Sequence, residues 1–206
     1  MISSARLRAA LLLALSLAGM HGAQAQNTLD HRLPEDRAGI YRAQDAVPLA
    51  LGLAMLSGAL IEGSESRLGR SYWQGGESFL ASGLLAEALK RVVRRESPAT
   101  TTDPGHWFSA DRDGSFPSAH VAITTAAVTP LILEYQRDQP WVWTLAALPA
   151  YEMVARVKAR EHWQSDVLAG AALGASVGWY EHGRAKPWVL TLLPGGVFVG
   201  YHASLR

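Results

Sequence analysis

Three short segments of this chain combine histidine, serine, aspartate and basic side chains at spacings suited to handling a phosphate group. They are residues 90–98, which are rich in Lys and Arg, residues 114–120, which read GSFPSAH, and residues 156–166, which run from an arginine through a histidine to an aspartate. Each has an ordinary structural explanation: a solvated basic helix end, a helix N-cap, or a His–Asp pair on a helix surface. Their combination in one chain favours a chemical role.

The second and third segments supply complementary parts of an anion site. Ser118 and His120 lie at the predicted start of a helix, where backbone N–H groups lack intrahelical partners and the dipole favours negative charge. Arg156 has a guanidinium fork that fits phosphate oxygens. Asp166 follows His162 by four residues, so its carboxylate can fix the tautomer of that ring and leave the other nitrogen free to attack. These residues predict phosphoryl transfer without a metal ion or cofactor.

At this order and spacing the chain resembles the type 2 phosphatidic acid phosphatase superfamily, which also includes bacterial non-specific acid phosphatases and vanadium haloperoxidases. The family pattern is Lys, six residues, Arg-Pro, then Pro-Ser-Gly-His, then Ser-Arg, five residues, His, three residues, Asp. Residues 117–120 match the second motif with Ala119 in place of Gly, and residues 155–166 match the third with Ala155 in place of Ser. The resemblance covers about residues 80–183 and implies a helical-bundle core.

The resemblance also implies a role for each matched residue. His162 would be the nucleophile that takes the phosphoryl group, and Asp166 would orient it and stabilise its charge. His120 would protonate the leaving oxygen and then activate water. The phosphate oxygens would be held by four further groups, namely Lys90, Ser118, the backbone N–H of Ala119, and Arg156.

The first motif departs from the family pattern. Counting from Lys90, the expected arginine falls on Ser97, just before Pro98, so one phosphate-binding cation is missing from its usual place. Arg94 and Arg95 are the nearby candidates to replace it. Arg95 is closer to Ser97, at the predicted fraying end of the helix. We therefore expect Arg95 to bind the phosphate and Arg94 to face solvent.

Five predicted helices must position these residues, so the expected fold class is all-α, with a helical core over residues 45–183. Between residues 78 and 95, apolar residues recur at three-to-four spacing, which is typical of a helix with one buried stripe. The other helices are predicted over residues 46–61, 117–136, 140–160 and 165–182.

The remaining segments are predicted to be an arm, a connection and a hairpin. Residues 26–45 are polar and irregular and are expected to form a surface arm, and residues 62–76 are expected to connect two helices. Glycine and alanine in residues 169–175 indicate very close helix packing. Alternating side chains around a Pro-Gly-Gly turn in residues 187–206 predict a short C-terminal β-hairpin.

The N-terminal sequence indicates export. Arg6 and Arg8 precede an apolar run that ends near Ala23-Gln24-Ala25, so residues 1–25 are predicted to be a secretory signal peptide and residues 26–206 a single domain in a bacterial periplasm. A retained membrane anchor is the alternative.

The 206 residues contain no cysteine, which excludes disulfides, thiolate zinc sites and cysteine nucleophiles. The net charge of +1 gives no basic excess, so no nucleic-acid partner is expected.

The leading interpretation is a metal-independent periplasmic phosphatase that cleaves a phosphomonoester or pyrophosphate bond, with a lipid phosphate as substrate. The bundle is predicted to be soluble or peripherally attached to a membrane rather than a set of short spans. The alternatives are a non-specific acid phosphatase on soluble esters, a vanadate-dependent haloperoxidase, and an anion- or lipid-binding protein that has lost activity. The retained His120, His162 and Asp166 argue against the last, because a binder needs no aligned nucleophile and acid.

Overall fold

The computed structural model describes residues 29–110, 114–184, 188–193 and 196–201. The predicted signal peptide, residues 1–25, lies outside these described residues. The helices are α1 (Ala46–Glu62), α2 (Arg67–Val93), α3 (Ala119–Tyr135), α4 (Ala147–Lys158) and α5 (Gln164–His182), together with two 3₁₀ helices, Gly39–Asp45 and Pro140–Ala146. The prediction of a helical bundle is confirmed.

Two short strands follow the bundle. β1 (Trp188–Leu193) pairs antiparallel with β2 (Gly196–Tyr201), so that the start of β1 lies opposite the end of β2. Residues 194–195, which include part of the predicted turn, lie outside the described residues, as do residues 185–187 and 202–206. The hairpin predicted over residues 187–206 therefore stays a prediction.

α3 is the central helix, because it packs against each of the other four α-helices. Its buried residues include Val121, Ala127 and Leu131, which together cover more than one face. A helix that is apolar around its circumference is expected to be enclosed by neighbours. Leu51 and Met55 of α1 complete the largest cluster of buried apolar side chains.

Glycines bring α5 against α3. Gly170, Gly174 and Gly178 follow one another at four-residue spacing and so lie on one face of α5. A Cβ atom at Gly170 would lie 2.5 Å from the Ser118 carbonyl oxygen, and a Cβ atom at Gly178 would lie 2.6 Å from Thr129 Cβ. The predicted close packing is confirmed. Because the two helices run in the same direction, their N-termini meet at one end of the bundle.

α2 begins inside the predicted connection over residues 62–76, so that prediction is wrong for most of its length. The side chain of Ser66 caps the helix by accepting a hydrogen bond from the backbone N–H of Gly69 at 2.9 Å. Gly75 lies in the helix interior, where a Cβ atom would come within 2.7 Å of the Ala127 carbonyl oxygen. Close packing against α3, and not a chain reversal, explains this glycine.

The single helix predicted over residues 140–160 is two elements. The second 3₁₀ helix ends at Ala146 and α4 begins at the next residue, so Pro149 falls in the first turn of α4. Proline is tolerated there, because the N–H that it lacks would have no intrahelical acceptor. In the interior of a helix it would cost about 3 kcal/mol. α4 then carries Arg156 near its C-terminal end.

The outer surface of the bundle is apolar along α1 and α2. Leu49, Leu53 and Leu56 are each more than half exposed on α1, and Leu80 and Leu84 are more than half exposed on α2. The first 3₁₀ helix and α1 form a 24-residue stretch that is long and apolar enough to cross a membrane, by length and composition alone, and its most apolar 18 residues have a mean hydropathy of 1.5. Exposed apolar surfaces of this kind mark contact with a partner or with lipid.

Candidate active site

His162 lies in the turn between α4 and α5, two residues before α5 begins. Its side chain is buried, and its Nδ1 atom lies 2.7 Å from the carbonyl oxygen of Ser115. A carbonyl oxygen only accepts hydrogen bonds, so Nδ1 must carry the proton of the neutral ring. The Nε2 atom then holds a lone pair, which is the form that a nucleophilic histidine needs.

Asp166 is in the first turn of α5, with a fully buried carboxylate. Its Oδ2 atom accepts a hydrogen bond from the backbone N–H of Trp163 at 2.9 Å and lies 3.8 Å from Nδ1 of His162. The direct hydrogen-bond partner of the ring is therefore the Ser115 carbonyl, and Asp166 acts on the ring as a nearby charge. Burial works to raise the pKa of Asp166, but the His162 ring and the Arg95 charge outweigh it and lower this pKa.

The start of α3 meets the start of α5. The backbone N–H of Ser118 donates to the carbonyl oxygen of Asp166 at 3.0 Å. The Ser118 side chain is fully buried, and its Oγ atom has no hydrogen-bond partner among the described residues. This side chain does not cap α3. Ala119 is the first residue of the helix, so its N–H is among the amides that lack an intrahelical acceptor.

His120 lies in the first turn of α3 among several charges. Its Nε2 atom is 3.5 Å from Oδ1 of Asp45. Burial, followed by the charge of Arg156, lowers the pKa of His120 to about 4, and His162 and Lys90 add to this effect while Asp45 opposes it. The free protein therefore holds this ring neutral at neutral pH, in an environment rich in positive charge.

Arg156 joins the same group from α4. Its Nη1 atom donates to Oδ1 of Asp45 at 2.9 Å, and its Nη2 atom forms a short ion pair with Glu161. Its Nε atom is buried and has no hydrogen-bond partner in the described part of the chain. The Asp45 carboxylate thus lies between Arg156 and His120, where an anionic ligand would be expected.

Lys90 is in the last turn of α2 and is only partly exposed. It forms an ion pair of 3.3 Å with Glu87, one turn earlier on the same helix. Its positive charge acts on His120 as well. The structure therefore brings Lys90 and Arg156 to the side of the site where Ser118 and His120 lie.

Arg95 does not lie where a phosphate-binding residue was expected. Its side chain is fully buried and pairs with two carboxylates, Asp30 at 2.7 Å and Asp166 at 2.5 Å. Its Nε and Nη2 atoms also donate to the carbonyl oxygen of Pro104. Every nitrogen of the guanidinium is engaged, so this arginine is not available to a phosphate. It does not replace the cation missing at Ser97.

Three contributors to the site could not be recognised from sequence. Asp45 ends the first 3₁₀ helix, and nothing in its residue type distinguishes it from the other charges of residues 26–45. Ser115 contributes a backbone carbonyl, which no side-chain pattern reveals. Asp30 is buried although it was assigned to a surface arm, because it pairs with Arg95, 65 residues further along the chain.

Within the described residues, no three His, Asp or Glu side chains form a group that could hold a metal ion. The charges around His120 are mainly positive instead, from Arg156 and Lys90. Two buried donors, Ser118 Oγ and Arg156 Nε, have no hydrogen-bond partner among the described residues, and donors together with cations suit the binding of an anion.

The PAP2 superfamily profile matches residues 71–191 of this chain. The matched region begins within α2, contains α3, α4 and α5, and includes all of the site residues described above except Asp30 and Asp45. The chain therefore belongs to the PAP2 superfamily.

Curated relatives are similar over part of this chain. It is 39% identical over 66 residues to lipid A 1-phosphatase from Porphyromonas gingivalis, covering 31% of this chain and 15% of that protein. It is 30% identical over 100 residues to undecaprenyl-diphosphatase from Sulfolobus acidocaldarius, covering 48% and 47%. It is 33% identical over 111 residues to decaprenylphosphoryl-5-phosphoribose phosphatase from Mycobacterium tuberculosis, covering 53% and 58%. The matches thus span less than two thirds of each relative's length.

One solved structure covers most of the chain. The first transmembrane PAP2 type phosphatidylglycerolphosphate phosphatase from Bacillus subtilis superposes with a TM-score of 0.48 and 18% sequence identity, over 85% of this chain and 94% of that one.

Proposed function

We propose that this protein is a phosphatase that hydrolyses a phosphomonoester or diphosphate bond of a lipid phosphate through a phosphohistidine on His162. The reaction uses no metal ion and no cofactor, and it takes place in the periplasm, to which the predicted signal peptide would direct the chain. One observation carries the proposal. Ser118 Oγ and Arg156 Nε are buried donors without a hydrogen-bond partner among the described residues; Ser118 lies two residues before His120, and the charge of Arg156 acts on the His120 ring.

Buried donors of this kind need acceptors. Leaving one unsatisfied costs about 1–3 kcal/mol, and a phosphoryl group brings several acceptor oxygens to both at once. The proposed phosphate ligands are Ser118 Oγ, the Ala119 N–H, and the guanidinium of Arg156, with Lys90 as an additional charge. A guanidinium suits this task because its donors form a planar fork that matches two phosphate oxygens.

The proposed reaction has two steps. In the first, the Nε2 lone pair of His162 forms a bond to phosphorus while the bond to the leaving oxygen breaks, and that oxygen takes a proton from His120. In the second, His120 takes a proton from water, the water oxygen bonds to phosphorus, and the N–P bond breaks to release inorganic phosphate. The negative charge of Asp166 stabilises the His162 ring while it is positively charged.

His120 must be protonated to act as the acid, and its pKa of about 4 leaves it neutral in the free protein at pH 7. A phosphate dianion beside it favours the protonated ring, because an opposite charge stabilises the charged form. In the proposal, substrate displaces the single charge of Asp45 and raises the pKa of His120. Binding of the substrate thereby prepares the acid that the first step needs.

A lipid substrate suits the outer surface of this protein. The exposed leucines of α1, Leu49, Leu53 and Leu56, lie on the helix that directly follows Asp45. The curated relatives named above include phosphatases whose names specify lipid phosphates. We propose that this apolar face makes peripheral contact with a membrane and brings the site to phosphate groups at its surface.

Phosphate release by the purified protein tests the proposal. Phosphatidic acid and a polyprenyl diphosphate in detergent micelles would be compared with soluble phosphate esters, in the presence of EDTA and then of vanadate. We expect kcat/KM at least about tenfold higher for a lipid substrate, no loss of activity in EDTA, and inhibition by vanadate as a mimic of five-coordinate phosphorus.

The other outcomes separate the alternatives. Higher kcat/KM for soluble esters would identify a non-specific acid phosphatase. Halide oxidation that needs added vanadate and peroxide would identify a haloperoxidase. Activity lost in EDTA and restored by a divalent metal would contradict the mechanism, and the absence of phosphate release from every substrate would contradict the proposed function.

A further inference from the structure

A buried ion-pair network includes Asp166, the carboxylate nearest the His162 ring, and none of its members is a proposed phosphate ligand. It contains Arg95, from the segment after α2, Asp30, from the segment before the first 3₁₀ helix, and Asp166, from α5. All three side chains are fully buried, and the two ion pairs measure 2.7 Å to Asp30 and 2.5 Å to Asp166. Burying three charged groups is costly unless their geometry is well satisfied, so the partners of each group indicate what the network is for.

The guanidinium of Arg95 is fixed in orientation. Its Nε and Nη2 atoms donate to the Pro104 carbonyl oxygen at 3.1 and 2.7 Å, and its Nη1 atom donates to Ser165 Oγ at 2.7 Å. Its planar group lies against two indole rings, 4.3 Å from the centroid of Trp107 and 5.5 Å from that of Trp163. Hydrogen bonds hold the edge of the guanidinium and the two indole rings hold its face. The group therefore donates Nη1 to Asp166 in one fixed orientation.

Asp30 is held by the start of α5. Its Oδ1 atom accepts a hydrogen bond from the backbone N–H of Ser165 at 2.7 Å, and its Oδ2 atom accepts one from Ser165 Oγ at 2.7 Å. The same Oδ2 atom receives Nη2 of Arg95. Asp30 therefore attaches the N-terminal segment to the first turn of α5. The point of attachment, Ser165, lies between His162 and Asp166 in sequence.

The network acts on the orientation of Asp166. Arg95 engages the Oδ1 atom, which leaves Oδ2 for the Trp163 N–H and the His162 ring. Without Arg95, only the Trp163 N–H would hold the carboxylate, so the carboxylate could rotate about that single hydrogen bond and its position beside the ring would be less firmly fixed. Arg95 and His162 are the charged or titratable side chains that act on the pKa of Asp166, and Asp30 is linked to it through its ion pair with Arg95.

The charge of the network suits the state that His162 reaches during the proposed reaction. One cation and two carboxylates, when both are ionised, carry one net negative charge. The His162 ring becomes positively charged when Nε2 bonds to phosphorus, because Nδ1 keeps its proton. A fixed negative charge in a dry site stabilises such a developing positive charge and needs no reorganisation.

We propose that Arg95 and Asp30 are positioning residues that act on His162 through Asp166, so that the N-terminal segment around Asp30 is a working part of the catalytic unit. This inference rests on the proposed function. It differs from a purely structural role, because it requires that loss of the network changes the catalytic step and its pH dependence beyond any effect on folding.

The double variant Asp30→Asn, Arg95→Met provides the test. It removes one cation and one carboxylate, so the buried region keeps one net negative charge and no unpaired arginine or second carboxylate remains. The variant Gln164→Ala is the matched control. It removes the neighbouring pair of hydrogen bonds between Gln164 and the backbone of His31, each 2.9 Å, and leaves the ion pairs in place.

For the double variant we expect kcat to fall at least tenfold, while KM changes less than threefold. We also expect the acidic limb of the kcat profile to move to higher pH, because Asp166 loses the cation that favours its ionised form. The conservative variant Arg95→Lys should keep the wild-type acidic limb and recover part of kcat. Gln164→Ala should behave as wild type in all of these measurements.

A double variant that is folded and has the kcat and acidic limb of wild type would overturn the inference. An equal loss of kcat in Gln164→Ala would also overturn it, because weaker attachment of the N-terminal segment alone would then explain the loss. If the double variant does not fold, Asp30→Asn alone decides: a kcat at least threefold below that of Gln164→Ala supports the inference, and equality contradicts it.

The imidazole ¹⁵N resonances of His162 separate this inference from the proposed function. If the wild-type protein releases no phosphate, the proposed function fails, but the tautomer of His162 can still be measured. We expect the Nδ1–H form, which the Ser115 carbonyl fixes, in both proteins at pH 7, and changed ¹⁵N shifts in the double variant, because the Asp166 oxygen near the ring is then less firmly held. Identical spectra would contradict the positioning role.

Discussion

Asp45 and Arg156 form an ion pair of 2.9 Å, and the same carboxylate oxygen lies 3.5 Å from Nε2 of His120. The Asp45 side chain is 75% exposed, whereas that of Arg156 is 8% exposed. Displacing an exposed carboxylate from a buried cation costs little free energy, because exposed ion pairs contribute about 1 kcal/mol or less. In the absence of another anion, Asp45 therefore lies where the proposed substrate phosphate would bind.

Replacing Asp45 by Asn should strengthen anion binding. The variant removes a competing negative charge, so the inhibition constant of vanadate should fall by about threefold to tenfold, as expected for about 1 kcal/mol. The control is Asp138→Asn, which removes the same charge from an exposed ion pair with Arg67, beyond the other end of α3. Weaker inhibition in Asp45→Asn would instead assign Asp45 a supporting role toward His120.

The titration of His120 should depend on the ligand. Proton NMR of the free protein should show this ring titrating with a pKa of about 4, well below the ordinary 6.5, because burial and the charge of Arg156 disfavour the protonated form. Saturating vanadate should raise the pKa by at least about one unit, as expected for a nearby opposite charge. A free-protein value near 6.5, or no response to vanadate, would contradict the assignment of His120 as the acid that substrate prepares.

The parts of this site that depend on local spacing could be predicted from sequence, and the parts that depend on long-range pairing could not. The interval between His162 and Asp166 places both at the start of one helix, and residues 117–120 place His120 at the start of another. Arg95 was expected in the phosphate site because of its distance along the chain from Ser97. Its true position depends on Asp30, which no local pattern connects to it.

The close approach of α3 and α5 should be sensitive to a single methyl group. In Gly174→Ala, the new Cβ atom would lie 2.8 Å from Thr125 Cβ and 2.9 Å from the Ala126 backbone nitrogen. Overpacking of this kind costs about 1–3 kcal/mol, so Tm should fall by about 2–12 °C. In the control Gly183→Ala the nearest atom would be 3.6 Å away, and Tm should be unchanged. Equal Tm values for both variants would contradict this prediction, because α3 and α5 would then move apart to accommodate the methyl group without loss of stability.

Helix boundaries, too, could be predicted only where local sequence signals determine them. Pro149 was expected inside a longer helix, but the structure places it in the first turn of α4, where its missing N–H has no consequence. Gly75 and its neighbours suggested a connection, because a glycine needed for close packing against α3 has the same sequence signal as a glycine in a loop. Only the contact with Ala127 distinguishes the two.

Glu152 should make stability depend on pH. Its carboxyl is fully buried with neither oxygen hydrogen-bonded to a described residue, and burial, opposed by Arg156, raises its pKa from 4.5 to about 7. The folded state therefore holds this proton more tightly than the unfolded state, so stability should decline as pH rises from about 4.5 to 7 and stay lower above 7. Glu152→Gln should raise Tm by at least about 2 °C at pH 8 and have little effect at pH 4. A Tm difference independent of pH would contradict the raised pKa.

The central claim is that His162 takes the phosphoryl group, and trapping the intermediate tests it most directly. Protein mixed with radiolabelled substrate would be quenched in alkali within one turnover and digested, and the labelled peptide sequenced. We predict an alkali-stable, acid-labile label on His162, and no label in His162→Ala, which should keep its fold and lose all but a few percent of phosphate release. A label on another residue, or a folded His162→Ala protein that still turns over, would contradict the account.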